Sequence, residues 1–145
     1  MYIRTAREND FAQWLALWLG YQEFYKATIP EYITNTTWKR FMDTNEPMYC
    51  AVAELDDRLV GIVHYIHHRS CWTEGNYTYL QDLFVEPGLR AQGVGRALIE
   101  HVYAKAKEAG ASRVYWLTHE SNTNAMVLYD QVANKSGFIQ YRKVF

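Results

Sequence analysis

Phe11, Trp14, Leu15, Trp18 and Leu19, followed by Gln22 and Tyr25, recur at helical spacing and predict an amphipathic helix over FAQWLALWLGYQEFYKA, with Asn9 and Asp10 as caps. Pro30 suits a second helix start, which Tyr32, Ile33, Trp38, Phe41 and Met42 continue less regularly. Ahead of both, Tyr2 to Ala6 reads as a short strand. After Pro47 the period becomes extended: MYCAVAEL and RLVGIVHYIHH are strands joined at Asp56 and Asp57, and NYTYLQDLFVE is a third that Pro87 and Gly88 end. VGRALIEHVYAKAKEAG returns to helical spacing, with Val94, Leu98, Val102 and Ala106 on one face and Gly110 placed to stop it. A strand SRVYWLTH, a helix NTNAMVLYDQVANKS and a closing strand GFIQYRKVF complete the order β, α, α, β, β, β, α, β, α, β.

Three successive strands read as an antiparallel meander, whereas strand, helix and strand across residues 79 to 117 require a parallel crossover. The expected fold class is therefore α/β (α+β), a mixed, mainly antiparallel central sheet flanked by helices. The 145 residues show no repeat, low-complexity tract or linker, so residues 1–145 are read as a single domain. A content of 49% hydrophobic and 16% aromatic residues is sufficient for a core and excludes a disordered chain. With 15 Lys and Arg against 16 Asp and Glu, neither nucleic acid nor an anionic membrane is an expected partner. No apolar run approaches the ~18 residues of a membrane span, and the start does not resemble a signal peptide. Cys50 and Cys71, far apart, support neither a disulfide scaffold nor a four-thiolate zinc site, so a reducing cytoplasm is the expected compartment.

The most informative string is VEPGLRAQGVGRALI, where a strand end meets a helix start. Its glycines permit a tight turn and remove Cβ atoms where an oxyanion must approach, while a helix start presents unpaired N–H groups. Arg90 and Arg96 add positive charge suited to a pyrophosphate. A P-loop would need Lys and then Ser or Thr after Gly93, where Val94 and Gly95 stand. A dinucleotide fingerprint from Gly93 would need a small third residue, where Leu98 stands, and the preceding meander does not suit a doubly wound sheet. The same glycines also suit a helix-capping turn without ligand, and the short motif alone does not separate these readings.

This arrangement resembles the GCN5-related N-acetyltransferase family, whose acetyl-CoA loop has Q or R, x, x, G, x, then G or A. Arg90, Gly93 and Gly95 fill those places, Asn122, Ala125, Leu128 and Tyr129 match the family's NxxAxxLY helix, and Gly137 with Phe138 match its closing GF. The likeness covers nearly the whole chain and is nearest the branch of yeast histone and polyamine acetyltransferase relatives. It implies a GNAT-like acyl-CoA N-acyltransferase fold and acetyl-CoA as cofactor. By this resemblance the backbone from Gln92 through Gly93, Val94, Gly95 and Arg96 to Ala97 would hold the pyrophosphate. Leu83, Phe84 and Val85 would pair with the pantetheine arm, Asn122 would sit near the cofactor, and Tyr129 would face the sulfur. A homodimer is implied too. One departure is that Gly137 lies eight residues after Tyr129, about one helical turn more than the family commonly has.

An alkylamine with a pKa near ~10.4 is neutral in only about 4 molecules per 10,000 at pH 7, a deficit of roughly 4.6 kcal/mol, so the site must help remove a proton. Gln81 stands where polyamine acetyltransferases of this family often carry Glu, and an amide cannot act as a base. Asp82 is the carboxylate candidate, either attracting the cationic amine or starting a water-mediated relay, with Glu23, Glu31 and Glu120 as alternatives. A structural carboxylate remains an equal reading of Asp82. Tyr129 is the candidate donor to the charge that develops on oxygen and sulfur.

His64, His67 and His68 invite a metal reading, but alternation puts His67 on the face opposite the other two, and no metal is expected. Cys50 in an apolar strand reads as a packed thiol, and no Ser sits in a GxSxG elbow, so transfer is expected to be direct. Tyr77, Tyr79 and the Trp-rich first helix suit either an acceptor pocket or simple core packing. The function these readings support is acetyl transfer from acetyl-CoA to a primary amine of a small molecule or polyamine. A protein lysine or amino acid acceptor, or a CoA-binding sensor without chemistry, are the alternatives.

Overall fold

The computed structural model describes residues 1–89 and 91–145. Its elements are β1 (Tyr2–Thr5), α1 (Phe11–Phe24), α2 (Glu31–Met42), β2 (Met48–Leu55), β3 (Arg58–His68), β4 (Tyr77–Val85), α3 (Val94–Glu108), β5 (Arg113–Tyr115) and α4 (Thr123–Val132). Single 3-10 turns occupy Glu8–Asp10 and Pro87–Leu89. Among the described residues the strands form one sheet in chain order, antiparallel from β1 to β4 and parallel between β4 and β5. The mixed, mainly antiparallel sheet expected from the pattern is thus observed. Asp56 and Asp57 both adopt left-handed backbone, with φ of 50° and 62°. That is the turn geometry whose twist matches the flanking strands, and the short Asp side chain tolerates it.

Both faces of the sheet are covered, which explains why β2 and β3 read as nearly continuous apolar runs. On one face Trp14, Leu17 and Trp18 of α1 pack with Cys50, Val52, Ile62 and Phe84. On the other, Val94, Leu98, Ile99 and Val102 of α3 pack with Ala51, Ala53, Val60, Val63, Tyr65 and Leu80. The helix packs tightly over Gly61, where a Cβ would stand 3.1 Å from Leu98 Cδ1 and 3.2 Å from Val94 Cγ1.

Three expectations differ from the structure. The buried stripe of α1 is Trp14, Leu17, Trp18 and Gln22, whereas Leu19 and Tyr25 are 52% and 48% exposed. Apolar residues surround this helix on most sides, so spacing alone does not select the face and the sheet decides it. The strand expected over 112–119 pairs only at Arg113–Tyr115, because its register with β4 covers Tyr77–Tyr79 alone. The closing strand GFIQYRKVF does not form. A strand needs an edge to pair with, and no backbone ladder engages residues 134–145 among the described residues. Phe138 and Tyr141 there are 85% and 91% exposed.

The first strand is tied to the turn before α1 by a buried ion pair. Arg4 donates to both oxygens of Asp10, at 2.7 and 2.9 Å, and reaches Glu54 at 3.2 Å. Asp10 also accepts from the Arg7 backbone N–H at 2.7 Å. The Arg4 guanidinium holds the Asp10 carboxyl below its ordinary value. A carboxyl depressed in the folded state stabilises the fold above its unfolded pKa, and that contribution is lost as pH falls through the folded value. Asp10→Asn leaves buried Arg4 with Glu54 as its remaining carboxylate partner and is expected to cost about 3 kcal/mol at pH 7, the low end for a broken buried pair. Thermal unfolding from pH 7 to pH 3 should show the gap from wild type narrowing toward acid. A gap independent of pH would contradict this account.

Candidate active site

In the pairing of β3 with β4, His64 faces Asp82 but Tyr65 faces Leu80, so Gln81 is an extra residue, a β-bulge. Strict alternation would place Asp82 on the same face as Leu80; the bulge turns it over. Leu80 and Leu83 accordingly pack on the α3 side, while Phe84 belongs to the α1 side and Asp82 meets His64 there. Gln81 itself is exposed.

Asp82 Oδ2 lies 2.9 Å from His64 Nδ1, and the indole N–H of Trp14 donates to His64 Nε2 at 2.9 Å. Three phenols are affected by the charge of this carboxylate. Burial, and then the charge of Asp82, pushes Tyr21 well up. The same two causes raise Tyr25 and Tyr79. Each phenol therefore keeps its proton and stays a donor.

The ladder between β4 and β5 ends at Tyr79 and Tyr115, while β4 runs on to Val85 against β3. Where the two parallel strands part, a small crevice is lined by Leu80, Leu83, Ile99, Trp116 and Tyr129. Tyr129 meets Trp116 at an angle, with ring centroids 5.4 Å apart. Burial raises its phenol, and Tyr25 adds to the shift. The charge of Asp82 thus acts on Tyr25, and Tyr25 on Tyr129.

Beyond β4 the chain turns through Ala91 and Gly93, at φ of 66° and 85°, into α3. Gly93 caps the helix, and Ala97 N–H donates to Gly93 O at 3.0 Å. The N–H groups of Val94, Gly95 and Arg96 precede that bond and so lack helical acceptors. A Cβ at Gly88 or Gly93 would meet nothing within 4 Å. Gln92 is exposed beside them. Arg96 is directed away from the loop: its guanidinium donates to Gln131 Oε1 and lies 3.9 Å from Glu100. Asn122 caps α4 by position and donates to Thr118 Oγ1 at 3.2 Å. Arg90 lies outside the described residues.

Of the other candidates, Glu23, Glu31 and Glu120 are exposed. Trp14 and Trp18 are core residues. Tyr79 stacks on Tyr115, and Arg113 lies over the Tyr77 ring at 4.1 Å. Cys50 is buried, and burial raises its thiol. His67 turns to Thr78 and His68 to Tyr115. Sequence reasoning missed His64, Tyr21 and Tyr25, whose relation to Asp82 is created by packing across elements and leaves no spacing signal.

Residues 11–133 match the model of the acetyltransferase (GNAT) family. The chain belongs to this family. It is an acetyl-CoA-dependent N-acetyltransferase, and among similar proteins is the D-amino-acid N-acetyltransferase HPA3 of Saccharomyces cerevisiae. That relative is 36% identical over 144 residues, covering 97% of this chain and 89% of the relative. The thialysine N-epsilon-acetyltransferase of Bos taurus is 30% identical over 136 residues, covering 88% of this chain and 79% of its own. A crystal structure of a probable acetyltransferase superposes with a TM-score of 0.87 at 25% identity, covering 100% of this chain and 98% of that one. The fold is shared as well with AAC(6')-Iy, solved with a bisubstrate analog of CoA, at a TM-score of 0.84 and 18% identity over 99% of this chain and 98% of that one.

If Asp82 supplies part of the upward push on Tyr21, Asp82→Asn should bring the Tyr21 titration down, partway toward that of a free phenol. Ring resonances followed by NMR through alkaline pH measure this, and an unmoved Tyr21 would contradict the assignment.

Proposed function

We propose that this GNAT enzyme transfers acetyl directly to the primary amine of a small molecule, amino acids and polyamines included. The observation that carries the reading is the bulge that brings Asp82 to His64 on the α1 face of β4, where its charge acts on Tyr21, Tyr25 and Tyr79, with Tyr129 lining the crevice between β4 and β5. A carboxylate among phenols that keep their protons suits a cationic amine by charge and by ring faces. The names of the D-amino-acid and thialysine relatives favour small amines over a protein lysine.

The glycine loop fits acetyl-CoA: open space over Gly88 and Gly93 and helix-start N–H groups are what a pyrophosphate needs. Gln92, Gly93, Val94, Gly95, Arg96 and Ala97 would hold it, with Arg90 in the same loop by sequence. Leu83, Phe84 and Val85 would run beside the pantetheine arm, with Asn122 near it. When bound, the cofactor supplies the acetyl thioester. Asp82 draws in the ammonium group and starts the water relay that removes its proton. Tyr129 donates a hydrogen bond toward the sulfur. Reference values make full transfer from Tyr to a thiolate uphill by about 2 kcal/mol, and a raised phenol enlarges that, so stabilisation comes from the hydrogen bond first. Cys50, packed away, is no nucleophile, which supports direct transfer.

Residues 1–145 act as one domain in this reading. A homodimer is supported by the exposed apolar side chains of the tail, which a second copy would cover. Two free cysteines and the absence, among the described residues, of a helix long and apolar enough to cross a membrane suit a cytoplasmic enzyme.

Acetyl-CoA consumption with D- and L-amino acids, thialysine, spermidine and a lysine peptide tests the reading. Small amines should be acetylated in preference to the peptide, and Tyr129→Phe should lower kcat by roughly 10²-fold while leaving acetyl-CoA affinity intact. No consumption with any amine would leave a CoA-binding module, and unchanged kcat in the variant would remove Tyr129 from the mechanism.

A further inference from the structure

We propose that His64 is a positioning residue: it holds Asp82 as an oriented carboxylate and so governs how the acceptor amine binds. This rests on the reading of Asp82 as the ammonium anchor.

The His64 side chain is 3% exposed and sits in an aromatic shell, with ring centroids 4.6 Å from Phe41, 5.0 Å from Trp18 and 5.9 Å from Trp14. Burying a polar ring there is unfavourable unless both nitrogens are satisfied. Both are. An indole N–H can only donate, so the bond from Trp14 Nε1 makes His64 Nε2 an acceptor without a proton. The single ring proton then lies on Nδ1, where it is donated to Asp82 Oδ2. The assignment follows from the network, since Trp14 leaves no alternative tautomer that keeps both bonds.

Two consequences matter for the amine. A neutral imidazole contributes no positive charge, so the carboxylate keeps its attraction for an ammonium group. The titratable groups interacting with this pair are also uncharged: Cys50, opposite His64 on β2, has its thiol raised by burial, and Tyr21, Tyr25 and Tyr79 stay phenols. The second consequence is orientation. Trp14 is wholly buried, so a chain of directed bonds runs from the core through His64 to a carboxylate that is 12% exposed. One oxygen is fixed by His64, and the remaining acceptor capacity is left for Tyr21 and the incoming cation.

The test has two arms on the full-length protein. In long-range proton–nitrogen NMR spectra of histidine-labelled wild type, His64 should be protonated at Nδ1 alone, and Trp14→Phe should disturb this signature. Protonation at Nε2, or at both nitrogens, overturns the proposal whatever the enzyme's activity. In steady-state kinetics with thialysine, His64→Leu should raise the acceptor KM about tenfold or more, with the acetyl-CoA KM unchanged. His64→Asn, which keeps a donor at the δ position, should recover most of the loss. Equal effects of Leu and Asn, or an acceptor KM unmoved in His64→Leu, overturn it. If thialysine is not turned over, the same comparison is made with whichever small amine is; if none is, the function proposed above is what fails, and the NMR arm still decides the role of His64.

Discussion

One inserted residue in β4 organises the chemistry of this protein. Because Gln81 has no opposite number on β3, the side chains on either side of it exchange faces: Leu80 serves the α3 core while Asp82 is delivered to the α1 face. Without that bulge the carboxylate would point into apolar packing against α3, where a charge is costly unless paired. With it, Asp82 meets His64, which stands directly across the ladder, and its charge acts on Tyr21 of α1. The same strand then parts from β5 after Tyr79 and leads into the glycine loop, so the proposed acceptor site and the proposed anion cradle lie along one continuous stretch of backbone.

Burial and charge act together at this site. Phenols removed from water resist ionisation, and a nearby carboxylate reinforces the effect, so Tyr21, Tyr25 and Tyr79 remain donors and polarizable surfaces. Tyr129 lies deeper, among Trp116, Leu80 and Ile99, where the environment favours hydrogen bonding over release of its proton. In the proposed function, this asymmetry separates the side that attracts the cation from the apolar side that receives the thioester.

Legibility from sequence followed the range of the interactions. The bounds of β2 and β3 were readable to the residue, because a two-residue turn and long apolar runs are local signals. The glycine loop and α3 were readable for the same reason, as glycine conformation and helical spacing are properties of a short segment. The buried face of α1 was not, since an almost uniformly apolar helix takes its orientation from what it packs against. The tail 134–145 has the alternating composition of a strand, but pairing requires an edge that composition cannot supply. At the site, Asp82 and Tyr129 were singled out by chemistry and motif position. The bulge and the Trp14 and His64 bonds join residues far apart in the chain and exist only once the sheet has formed.

The central claim is that the start of α3 and the parting of β4 from β5 form one seat for the acetyl donor. Amide hydrogen exchange with and without coenzyme A tests it most directly, because it reads the backbone donors themselves. The account predicts slowed exchange at Val94, Gly95, Arg96 and Leu83 on binding, with the amides of β1 unchanged. Bound coenzyme that leaves those four amides exchanging as in the free protein would contradict it.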